Sequence, residues 1–221
     1  MRRSTFPIGL AVLALLSAGS ALAQVPTRAE RPAVKVGDAS VFRDQDVITG
    51  EAKETRFHIV SIDPDKIVIE LAGATSGTQT FTRDWNLMET KRGNVVAETV
   101  TPFRPTLQFP LQVGKRWDAE FDIVADRGRA DRQAHWQWKA VVAAVEPVTV
   151  PGGAFQAFRI DAEGSFKTVQ QGQIWTGTHK ETVWYAPSVN RIVKREYEQT
   201  VPARHFVEHH VIELLSFAAA K

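Results

Sequence analysis

The sequence predicts an all-β protein: an antiparallel meander that forms a strongly curved sheet, a half-barrel or a sandwich. Three observations carry this. Apolar and polar residues alternate with a period of two along several separate runs, the pattern of strands with one buried face. Short turns rich in Pro, Gly and Asp separate the runs, and such short connections join antiparallel neighbours because parallel pairs need long crossovers. No convincing amphipathic helix alternates with the strands. The 221 residues are 43% hydrophobic and 24% charged, an ordinary globular composition with material for a sizeable core.

The N-terminus stands apart. Arg2 and Arg3, the apolar run Ile8–Leu16 and the small residues Ala21-Leu22-Ala23 have the layout of a secretory signal peptide over residues 1–23, with cleavage between Ala23 and Gln24. The apolar run is short for a membrane span, no later stretch resembles one, and a retained anchor is the alternative. The expected location is therefore periplasmic or secreted. Without the two arginines of that segment, Lys+Arg falls from 27 to 25 against 25 Asp+Glu, so the processed chain is formally neutral. It lacks the basic face that nucleic-acid binding requires. There is no cysteine, which excludes disulfides, thiol chemistry, thiolate metal sites and lipid attachment at an N-terminal Cys.

Residues 24–33, with Pro26, Pro32 and mixed charges, read as a flexible leader to a single β-rich domain over residues 34–217. Four runs alternate most clearly. Ile67, Ile69 and Leu71 share one face, as do Trp117, Ala119, Phe121, Ile123 and Ala125. Trp136, Trp138, Ala140, Val142 and Ala144 make the third, and Phe158, Ile160 and Ala162 the fourth. Turns are expected at Asp63-Pro64-Asp65, at Asp126-Arg127-Gly128-Arg129 and at Pro151-Gly152-Gly153, where Pro151 fixes the first central residue and Gly152 takes positive φ at the second.

Two halves, 34–100 and 111–217, show weak similarity across a proline-rich connection at 101–110. Val34-Lys35-Val36-Gly37-Asp38 resembles Leu111-Gln112-Val113-Gly114-Lys115, and Ile59–Asp63 resembles Val142–Glu146. Alternating strands that merely look alike are the competing explanation. The last segment, Arg204–Phe217, fits a helix through Val207, Val211, Leu214 and Ala218. It also fits a strand face through Val207, Val211, Leu215 and Phe217, and the strand is favoured because Arg191–Gln199 needs a partner.

Catalytic and metal patterns are missing. On a strand, His205 and His209 stand about 13 Å apart, too far to share one zinc, and His209 and His210 face opposite ways. Asp118, Glu120 and Asp122 lie opposite an apolar face, where solvated carboxylates belong. Neither a nucleophile elbow nor a phosphate-binding glycine loop occurs, so no catalytic residue, cofactor or metal is expected. The notable excess is tryptophan, six in all. Trp136, Trp138, Trp175 and Trp184 are core residues or, in the sharper reading, the lining of an apolar ligand pocket.

Trp184-Tyr185-Ala186-Pro187-Ser188-Val189-Asn190-Arg191-Ile192-Val193-Lys194-Arg195-Glu196 resembles a signature, W-Y-A-P-x-V-G-x-x-V-K-x-E, of bacterial envelope families known only as domains of unknown function. Leu111–Trp117, with Gly114 and Trp117, and Val148–Phe155, with Pro151 and Gly152, resemble the usual neighbours of that signature. The resemblance covers residues 111–217 and implies an exported β-rich domain with no assigned activity. Here Asn190 replaces Gly, and Asn is the next-best residue for positive φ, so a structural hairpin through Tyr185, Pro187 and Asn190 is expected. Together these readings favour a non-enzymatic binding or chaperone-like module for an apolar small molecule or an envelope component. Alternatives are an assembly protein that binds a protein partner through an edge strand and, further off, an envelope hydrolase.

Overall fold

The computed structural model describes residues 26–126 and 131–220, so the signal peptide expected over residues 1–23 and most of the turn expected at Asp126–Arg129 lie outside the described residues. Twelve strands follow in order: β1 (Ala39–Asp46), β2 (Ala52–Ile62), β3 (Lys66–Gly73), β4 (Gly77–Thr82), β5 (Leu87–Arg92), β6 (Val95–Thr101), β7 (Arg116–Asp126), β8 (Asp131–Val150), β9 (Gly153–Gln170), β10 (Gln173–Ala186), β11 (Arg191–Val201) and β12 (Phe206–Ala218). The alternation that predicted them is the alternation of burial. Trp136, Trp138 and Ala140 of β8 are buried, while His135, Gln137 and Lys139 between them are exposed.

Each strand pairs antiparallel with its sequence neighbours, and β1 also pairs with β12, so the meander closes into a barrel. The all-β antiparallel meander is as expected, but closure goes beyond a curved sheet or half-barrel, and it is not a sandwich. Register shifts at β-bulges, including Val142/Ala144 of β8 and Val41/Phe42 of β1 against β12, sharpen the coiling that brings the ends together. Closure removes the free edges that an open sheet would expose. On the outside, Lys139, Glu163, Lys167 and Lys180 are exposed, which is not the apolar band of a lipid-facing barrel. No described helix is long and apolar enough to cross a membrane.

The halves share local geometry. Gly37 (φ 96°) donates to Ile59 O and Ile59 N donates to Asp38 O; Gly114 (φ 89°) donates to Val142 O and Val142 N donates to Lys115 O. A bulge follows at the same place, after Ile59 and after Val142. Trp85 (φ 62°) and Asn190 (φ 53°) occupy equivalent left-handed positions between β4 and β5 and between β10 and β11. Although six strands apart in the barrel, these turns touch: Trp85 Nε1 donates to Asn190 O at 2.9 Å. One end of the barrel is therefore pinched.

That end is also plugged. In an up-and-down barrel alternate connections lie at opposite ends, so residues 26–38, 102–115 and the two touching turns share one end. The proline-rich connection folds inward, with Leu107 and Leu111 buried and Trp117 Nε1 bonded to Pro105 O at 2.9 Å. Part of the stretch expected to be a flexible leader meets this plug. Ala29 is buried and exchanges two backbone hydrogen bonds with Leu111, and Asn190 Nδ2 donates to Ala33 O. A short alanine fits against the plug, which composition alone does not reveal.

Two further expectations change. In the Pro151 turn the positive φ belongs to Gly153 (134°), whereas Gly152 matters for close approach: a Cβ there would stand 2.9 Å from Leu214 O. β12 is a strand, but its register skips Leu215, so Leu214 is fully buried while Val207 is 49% exposed. The even face drawn from Val207 to Phe217 therefore breaks at the bulge.

Candidate functional site

The inner face of β10 reads Trp175, Gly177, His179, Glu181, Val183 and Tyr185, against the outer Thr176, Thr178 and Lys180. A histidine and a glutamate thus sit on an otherwise apolar, aromatic face. His179 is 3% exposed, and the Glu181 side chain is fully buried. A bare carboxylate there would be prohibitively costly, so its partners define the site.

Two arginines supply them. Arg195 comes from β11: its Nε lies 2.8 Å from Glu181 Oε1, and its Nη2 donates to Oε2 at 3.2 Å. Arg104 comes from the proline-rich plug, where its backbone N is fixed on Leu87 O, and its Nη2 donates to Glu181 Oε2 at 2.6 Å. His179 Nε2 is 3.1 Å from the same oxygen. Arg104 Nη2 lies 3.1 Å from the same nitrogen, so Nε2 donates to Glu181 in one tautomer and accepts from Arg104 in the other. Burial pushes the Glu181 carboxyl up, but Arg195 and Arg104 outweigh it and hold it well below the usual carboxylate range. Burial lowers the His179 pKa and Arg104 lowers it further, against the hydrogen bond to Glu181, so the ring is neutral near pH 7. Two guanidiniums share this one carboxylate, and Glu98 acts on Arg104 and Asp44 on Arg195 from further away. The arginines remain 19% and 25% exposed while Glu181 is sealed, so the cations face the interior space.

Aromatic rings enclose the cluster. Arg104 lies over Trp138 (5.3 Å) and Arg195 over Tyr197 (4.8 Å); His179 stacks on Tyr197, and Tyr197 stacks on His210, which bonds Asp44. A glycine makes room for this packing. A Cβ on Gly164 would meet Trp138 Cε3 at 2.8 Å, so Trp138 lies across β9 toward His179 because that strand position is empty.

Arg104 and Arg195 line two chambers at once. A narrow one of about 290 Å³ runs toward the plugged end between Phe42, Phe57, Ile69, Phe81, Leu87 and Ile212. A wider one of about 780 Å³, lined by Trp136, Phe166, Trp175 and Tyr197, extends to Arg204 and Phe206 at the opposite rim. The first volume sits at the lower edge of the range of ordinary small-molecule sites and the second lies inside it. At the far end of the narrow chamber Arg191 donates to Ser40 Oγ at 2.6 Å, and burial lowers its pKa to about 10.

Of the four candidate tryptophans, Trp136 and Trp175 line the wide chamber and Trp138 lies buried beneath Arg104. Trp184 does not join them. It faces the other side of β10, bonded to Glu146 and covered by Lys194, against a second apolar cluster of Val150, Ala157, Val193 and Leu214. Asn190 is left-handed as expected, and Tyr185 packs inward against Phe109. His205 caps a turn, His209 bonds Glu196 and His210 turns inward; no cluster able to hold a metal exists among the described residues. Sequence reasoning missed Arg104, His179, Glu181 and Arg195. The available signal was two ionisable residues, His179 and Glu181, at even spacing on the Trp175–Tyr185 face.

No family model matches the chain, and no curated protein matches it. Among solved structures it is similar to a protein from Bacteroides fragilis described as exported with a YmcC-like fold, at 12% identity over 86% of this chain and 99% of that one, TM-score 0.49. A protein from Parabacteroides distasonis described as a lipoprotein overlaps at 13% identity over 86% and 99%, TM-score 0.48. The hypothetical lipoprotein YmcC of Escherichia coli overlaps at 14% identity over 82% and 85%, TM-score 0.45. At this level the overlap assigns neither a family nor an activity.

Proposed function

We propose that the chain is an exported, non-enzymatic binding protein for an amphipathic anion, with its apolar tail in the narrow chamber and its acidic group on Arg104 and Arg195. The observation that carries this reading is the pair of guanidiniums where the two chambers meet: Arg104 and Arg195 are partly open to the cavity, and the carboxylate they share, Glu181, is sealed behind them. Guanidiniums pair with carboxylate or phosphate in forked geometry, and a low-dielectric wall strengthens the pairing. The wide chamber, where Arg132 and Arg204 accompany Glu98 and Glu208, takes the polar remainder of a larger headgroup. Export is supported by the layout of residues 1–23. A holding role is supported by the company of His179, whose contacts are Arg104, Glu181 and the rings of Trp136, Trp138 and Tyr197.

An edge-strand partner has less support. The closed barrel leaves no continuous edge, and the part of β8 that projects beyond β7 carries Pro147, which cannot donate to a ladder. Titrating tryptophan fluorescence with decanoate and with decyltrimethylammonium tests the proposed reading, since Trp85, Trp136 and Trp175 line the two chambers. Decanoate should give a saturable change and bind roughly tenfold or more tightly than the cation, a difference of about 1.4 kcal/mol. Equal binding of both, or none of either, would refute it.

A further inference from the structure

We infer that the open rim of the barrel docks on a lipid bilayer surface, so that the chamber mouth faces the membrane; this rests on the amphiphile-binding reading above. Twelve large apolar side chains stand exposed among the described residues, and nine of them lie at or near the turns of one end. Ile48 of the β1–β2 turn is 59% exposed, Val95 at the start of β6 is 61%, Ile174 at the start of β10 is 61%, and Phe206 and Val207 at the start of β12 are 42% and 49%. The other three, Val36, Val60 and Val113, stand toward the plugged end. Single exposed apolar residues are ordinary, but a ring of them around one opening is not.

Charge separates the two ends in the opposite sense. The five described turns of the open end, residues 47–51, 74–76, 93–94, 171–172 and 202–205, contain Glu51 and Arg204 as their only permanently charged side chains, and the sixth connection, 127–130, which lies outside the described residues, adds Arg127 and Arg129 in the sequence. The connections of the plugged end carry many more, among them Arg28, Glu30, Arg31, Asp63, Arg83 and Asp84. A bilayer interface accepts apolar side chains readily and charged ones at a cost, so one end of this barrel suits it and the other does not. The apolar ring also surrounds the mouth lined by Arg204 and Phe206, through which a membrane amphiphile would have to pass. A lipid surface accounts for the ring and the opening together.

The test is flotation of the processed chain, starting at Gln24, with phosphatidylcholine vesicles and with vesicles that also contain phosphatidylglycerol. Binding is expected to both and to persist in high salt, because the attraction is apolar and not Coulombic. The double variant Ile174→Glu/Val95→Glu, at two exposed positions that line neither chamber, should lower the vesicle-bound fraction about tenfold or more. Val36→Glu at the plugged end should leave it unchanged, and decanoate affinity should be unchanged in both variants. The inference is overturned if the wild-type chain does not float, if binding vanishes in high salt, if the double variant floats as before, or if the ring drives self-association in place of vesicle binding. Flotation without saturable decanoate binding would leave the surface standing and remove the cargo reading; decanoate binding without flotation would do the reverse.

Discussion

Arg195 and Glu181 sit diagonally on neighbouring strands and meet through two contacts, Nε to Oε1 at 2.8 Å and Nη2 to Oε2 at 3.2 Å. This pair, with Arg104 arriving from the plug, joins the connection at 102–115 to the barrel wall. Removing its carboxylate leaves two buried cations facing each other. Glu181→Gln should therefore cost about 3–5 kcal/mol of stability by urea unfolding, the range for stranding one side of a buried ion pair. Glu163→Gln on the outer face should stay within about 0.5 kcal/mol. Equal effects would mean that the cluster holds nothing together.

The pH dependence has a definite sign. His179 titrates lower when folded than its ordinary value because burial, and then Arg104, disfavour the charged ring. The unfolded chain therefore takes up a proton that the folded chain refuses, and stability falls as pH drops through about 6.5, by at most about 1.4 kcal/mol per pH unit. Arg104, Glu181 and Arg195 face the ring and stay charged across that window, since Glu181 is held well below the usual carboxylate range. Unfolding curves between about pH 7 and pH 5 should be steeper in pH for the wild type than for His179→Gln. Parallel slopes would show that folding does not lower the pKa of His179.

Filling the narrow chamber separates binding from folding. Ile212 is half-buried and lines that chamber, so Ile212→Trp occupies the space proposed for the tail. Decanoate affinity should fall about tenfold or more with the folded state retained. Trp184→Ala should do the reverse. It removes part of the second apolar cluster and costs about 2 kcal/mol, below the ~3–5 kcal/mol of a fully buried tryptophan, while affinity stays within about twofold. Loss of affinity at Trp184 with stability intact would overturn the placement of the site.

Much of this was legible in the sequence because strand alternation reports burial directly. Trp136 and Trp138 were placed on the correct face by spacing alone, and Asn190 was assigned its left-handed turn from residue type. What was not legible depends on contacts between distant segments. Pairing of β1 with β12 joins Ala39 to Ala218, and no local pattern encodes that register. Arg104 looked like part of a connection because its partner Glu181 is 77 residues away. The bulge at Leu215 shifts the face of β12 by one residue, which a strict period of two cannot anticipate.

The central claim is that Arg104 and Arg195 receive an acid whose tail lies in the narrow chamber, and a crystal structure of the decanoate complex tests it most directly. The account predicts a carboxylate oxygen about 2.7–2.9 Å from a guanidinium nitrogen of Arg104 or Arg195, with the chain between Phe57, Phe81 and Ile212. A carboxylate at the rim beside Arg204 with the narrow chamber empty, or decanoate bound on the outer surface, would contradict it.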